Sequence, residues 1–244
     1  MMNSSAAKVK PEWMLDGRSP PADMYNAEPR VEPIDPEDEF GHPGTEQALG
    51  TSIFQFIGSS LEGGPNGIHP ATHIVALAAI AGYSARISVA LKASRGETDD
   101  DFRRISINRT TSVIASEQVN CLLLGMDKPS FAGIVVGFAL RCGLLQVPDM
   151  NALLQGHLSA AGTNQQSWAD CKSDVPPESL LMMYWEQVAR FFRNTPGGID
   201  LAPLAAAHAS GEAISVYREA IPVDQSLHLA LNTAIAMSKI DRSF

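Results

Sequence analysis

The chain has 244 residues, 45% of them hydrophobic and only 18% charged, with a net charge of −9. That length supports a sizeable core, while the charge content falls below the roughly 25% usual for soluble domains. Its basic residues are scattered, the densest being Arg103, Arg104 and Arg109 behind three aspartates, which excludes the clustered cations of a nucleic-acid footprint.

The first 45 residues hold Pro11, Pro20, Pro21, Pro29, Pro33, Pro36 and Pro43. Each proline removes a backbone donor and biases its predecessor toward extended geometry. The run from Glu28 to Glu39 is also strongly acidic, so composition predicts an extended or disordered arm over residues 1–45. Two apolar knots interrupt it, Trp13-Met14-Leu15 and Met24-Tyr25. Trp13, Met14, Leu15 and Tyr25 are therefore candidates for docking on the body or on a partner.

A single helical domain is expected over 46–244. Leu49, Ile53, Phe56, Ile57 and Leu61 recur at helical spacing and predict a first helix ending near Glu62. Gly63-Gly64-Pro65-Asn66-Gly67 breaks it, and Pro70 suits the first turn of a second helix reaching about Ala93. Ala71, Ala76, Ala78, Ala79, Ala81 and Gly82 keep that helix small on several faces, as a central helix with close neighbours would be. Thr98-Asp99-Asp100-Asp101 reads as a capping box opening a long helix toward Gly125. The β-branched section Ile105–Ile114 weakens it and leaves room for one short strand pair.

Pro129–Leu145 is apolar nearly all round and predicts a core helix, in which Gly133 and Gly137 would allow a close crossing. Met150–Leu158 forms a shorter helix, and 160–174 reads as loop. Pro176-Pro177 opens an amphipathic helix with Leu181, Trp185, Val188 and Phe192 on one stripe, stopped by Asn194–Gly198. Leu201–Ala209 is predicted helical, and Glu212–Ile221 fits helix or strand. Asp224 can cap a last helix carrying Leu227, Leu231 and Ile235. The expected class is all-α, an irregular multi-helix bundle behind a proline-rich arm. Ile74–Leu91 and Phe131–Val147 contain Arg86 and Arg141, which argues for buried helices over membrane spans.

Chemical signals are sparse. His69 and His73 stand four apart at a helix start, with Glu62 the nearest upstream carboxylate, but a zinc site needs three or four ligands and no H-E-x-x-H pattern is present. Gly63, Gly64 and Gly67 precede a helix N-terminus, where free amides attract anions, without the Lys-Ser/Thr of a phosphate loop. Arg86 is the nearest cation that could join such a site. Cys121 and Cys142 lie in apolar runs, where a free cysteine is usually a small buried hydrophobe. Cys171, in a polar setting, could pair with His157 or His208 only through the fold.

No catalytic set, metal site or cofactor motif emerges. The expectation is a non-enzymatic interaction or regulatory protein of the cytoplasm, acting through its arm and a helical face on a protein partner or a second copy of itself. Neither nucleic acid nor membrane is expected as a partner. The alternative is a small-molecule-binding or hydrolytic helical protein with its site at residues 63–73.

Overall fold

The computed structural model describes residues 44–62, 67–98, 102–106, 112–125, 129–160, 173–193 and 195–240. The arm with Trp13, Met14, Leu15 and Tyr25 lies outside them. Among the described residues eight α-helices and one antiparallel strand pair follow in order: α1 Thr45–Glu62, α2 Pro70–Ser94, β1 Arg103–Ser106, β2 Ser112–Ala115, α3 Glu117–Leu124, α4 Phe131–Arg141, α5 Met150–Ala160, α6 Pro177–Arg193, α7 Ala202–Val216 and α8 Val223–Ser238. A 3₁₀ turn over Gly198–Leu201 leads into α7. The body is mainly α, as its patterning predicts.

Helix α2 is the axis. Residues 71–85 are buried without interruption, enclosed chiefly by α8 and α7, with α6, α1 and α3 completing the wall. Ile74, Leu77 and Ile80 have no exposed surface, and burying each contributes about 1.5–3 kcal/mol. Composition alone would let α2 cross a membrane, but 78% of its most apolar window is buried inside this body. Its small residues let neighbours come to backbone contact. A Cβ on Gly82 would sit 2.1 Å from the Ala234 carbonyl oxygen of α8, and one on Gly50 of α1 would sit 2.7 Å from that of Ala205 in α7.

The remaining elements depart from expectation in instructive ways. Helix α4 is shorter than predicted and half-buried. Ser130 caps it, Phe131, Ala132, Val135, Val136 and Ala139 face the core, and Leu140 is exposed. Gly133 and Gly137 meet no neighbouring backbone, so the close crossing expected there belongs instead to Gly50 and Gly82. No long helix spans 99–125. The β-branched section pairs as β1 and β2, Arg103 opposite Ala115 and Ser106 opposite Ser112. Ser116 caps α3 through Val119 N–H at 3.0 Å, while Thr98 accepts a hydrogen bond from Gln118. Cys121 is exposed because α3 turns Val119 and Leu123 inward, which overturns its reading as a buried hydrophobe.

Toward the C-terminus, α6 buries Leu181, Val188 and Phe192 as expected, but Tyr184 rather than Trp185 is buried with them. Trp185 sits at the edge, perpendicular to Tyr83 with centroids 4.8 Å apart. Residues 212–216 continue α7 as helix. Pro222 occupies the cap position of α8, and Asp224 falls inside its first turn.

Candidate functional site

The stretch singled out in the sequence forms the mouth of α2. His69 holds the N-cap position in extended conformation, is exposed, and shares a 3.3 Å hydrogen bond between Nδ1 and Thr72 Oγ1. Ser173 reaches the same hydroxyl at 3.4 Å. Gly67, at φ 69, turns the chain into the helix. One turn on, His73 is completely buried. It stacks on Phe54 of α1 at 4.8 Å and shares a 2.9 Å hydrogen bond through Nδ1 with the Tyr217 hydroxyl at the end of α7. Gly58 makes room for it, since a Cβ there would stand 3.1 Å from His73 Cε1.

Burial pushes the His73 imidazole down to about 4, only partly offset by the Phe54 backbone. Its Nε2 has no hydrogen-bond partner among the described residues. His73 is thus a neutral ring clamped between α1 and α7. His69 faces solvent, so the two histidines divide between outside and inside despite their four-residue spacing.

The other candidates spread apart. Glu62 is exposed at the last position of α1. Arg86 follows His73 by 13 residues, about 20 Å along the helix, with its guanidinium 5.7 Å from the Tyr83 ring centre. Gly63, Gly64 and Cys171 fall outside the described residues. Among the described residues no three His, Cys, Asp or Glu side chains converge as a metal would require. Patterning signalled His73 but not its partners, because Phe54 and Tyr217 lie 19 residues before and 144 after it.

Two further features carried no motif. The connection Gly143–Asp149 between α4 and α5 faces Val223, Asp224 and His228 at the start of α8 across an open groove of about 670 Å³. Leu145, which lines it, is 100% exposed; Val147, which also lines it, and Leu140 in the last turn of α4 are exposed as well. Asp149 caps α5 through Asn151 and Ala152 N–H at 2.9 and 3.1 Å. The second feature is a polar cluster at the end of α8. Lys239 is buried there, and His157 of α5 bonds Asn232 at 3.0 Å.

The chain matches no family model, no curated protein and no solved structure.

Proposed function

We propose that this protein is a non-enzymatic interaction module of the cytoplasm that self-associates through the face carrying Leu140, Leu145 and Val147, with the N-terminal arm as a second contact. The observation that carries the reading is Leu145. A large aliphatic side chain left wholly in water, with the exposed Val147 lining the same groove, is surface of the kind that partners cover. A groove lined by the exposed Leu145 and Val147 presents the same apolar patch on each copy, and a two-fold axis would pair the two patches. The low charge content supports the same reading.

Sedimentation equilibrium and native mass spectrometry of the full chain test this directly. The wild type is expected to form a closed oligomer, and Leu145→Asp combined with Val147→Asp to shift it to monomer with an unchanged circular dichroism spectrum and melting temperature. A wild type that stays monomeric at the highest soluble concentration defeats the proposal. So does a double variant that oligomerises as before.

A further inference from the structure

Asp224 and His228 stand four residues apart in the first turns of α8. Both are exposed, and both line the groove that Leu145 and Val147 share. Side chains at that spacing are neighbours on a helix surface. His228 Nδ1 lies 2.8 Å from the backbone carbonyl oxygen of Asp224. A carbonyl oxygen only accepts, so Nδ1 carries the proton and donates it there. Nε2 keeps its lone pair, and the ring is held in one orientation. A metal-ligating histidine is arranged in this way, its second nitrogen tied to a carbonyl or carboxylate. Among the described residues nothing pairs with the Asp224 carboxylate.

The groove also carries charge of one sign. Asp149 and Asp224 line it, and no Lys or Arg among the described residues does. The Asp149 carboxylate is engaged by the Asn151 and Ala152 amides of α5, which leaves Asp224 as the free one. Pairing this face with itself about a two-fold axis puts both copies' Asp224 into one interface. Two carboxylates without a cation oppose such an association, since like charges repel and each loses water. One doubly charged ion balances them. Its coordination need also matches what two chains supply. A single chain offers one oxygen and one nitrogen, and among the described residues no third ligand converges on them. Two copies offer two nitrogens and two oxygens, a four-coordinate set that zinc accepts.

We propose that Asp224 and His228 form half of an interfacial Zn²⁺ site, completed by the same two side chains of a second copy. The inference rests on the self-association of this face and adds the ion that joins the two grooves. Each copy gives one oxygen at about 2.0–2.2 Å and one nitrogen at about 2.0–2.1 Å from the metal. Neither chain alone completes the site, so zinc binds the assembled pair far more tightly than the separate chains.

Sedimentation equilibrium of the full-length protein in EDTA, and again after dialysis into zinc chloride, tests this. Zinc is expected to lower the dimer dissociation constant at least about tenfold, because an ion bound only by the dimer shifts the equilibrium by mass action. Native mass spectrometry should count one Zn²⁺ per two chains. His228→Ala and Asp224→Asn, both at exposed positions, should each abolish the zinc effect and leave the association in EDTA. Wild type that associates equally with and without zinc overturns this proposal alone. A chain that is monomeric in both conditions overturns the self-association with it. A zinc response that survives in His228→Ala puts the ion elsewhere and also overturns the site. Cobalt(II) added to wild type gives a reading that no variant's folding affects. The strong visible absorption of a four-coordinate ion should saturate at half an equivalent per chain, and the weak absorption of a six-coordinate ion would count against the site.

Discussion

His73 ties two helices to the axis through one neutral ring, and its burial makes that tie sensitive to acid. The folded protein lowers its proton affinity from 6.5 to about 4. Its contribution is therefore complete above pH 6.5 and is lost as pH falls from 6.5 toward 4. The difference is worth about 3 kcal/mol by linkage. His157 and His208 are also pushed down, chiefly by burial, and add to the loss with the same sign. Urea denaturation is expected to show stability falling steeply between pH 6.5 and 4. His73→Phe keeps the ring on Phe54 but cannot take a proton, so it should flatten that slope while costing about 1 kcal/mol at pH 7.5 for the lost Tyr217 bond. An unchanged slope would show that His73 is not the group responsible. Asp200 illustrates a second long-range tie. It accepts from the buried Ser88 hydroxyl at 2.6 Å and from Arg95 at 3.1 Å, pinning the 3₁₀ turn to the end of α2.

At the scale of elements, the helix-to-helix contacts set how much side chain each position tolerates. Gly82→Ala would drive a methyl group into the Ala234 carbonyl, and neither backbone can move far inside a packed core. The expected loss is about 1–3 kcal/mol, read as a lowered melting temperature. Gly133→Ala, on an exposed helix position touching only Ser130 Oγ at 3.3 Å, should be near neutral or stabilising. Equal effects would mean that α2 and α8 do not approach as closely as described.

Helix existence was legible in the sequence wherever an apolar period was long. The alternation of Leu49, Ile53 and Ile57 and the proline start of α6 needed no tertiary information. The segment after Thr98 was not legible as a whole. Its acidic capping signal is local and strong, but the β-branched residues that follow it pair as β1 and β2, and Ile114 N–H of β2 donates a further hydrogen bond to the Lys239 carbonyl. Cross-strand partners outweighed local propensity there.

For the molecule as a whole, the arm poses the remaining question of assembly. The proposed function assigns the arm a second contact through its apolar residues Trp13, Met14, Leu15 and Tyr25. Deleting residues 1–20 is then expected to lower either the oligomer's stability or the melting temperature. Trypsin should also remove those residues slowly from the intact chain. Instant cleavage with both properties untouched would dismiss the arm as a contact.

Patterning by itself determined that this chain builds a mainly helical body, and that the Ala- and Gly-rich helix would be central. Those properties follow from spacing within one element, and spacing is written along the chain. Only the tertiary structure decided that His73 goes inward while His69 stays out, that Gly82 and not Gly133 sits at a close crossing, and that Lys239 is buried beside Asn120. Each depends on which surfaces meet across 100 or more residues, and no local period carries that information.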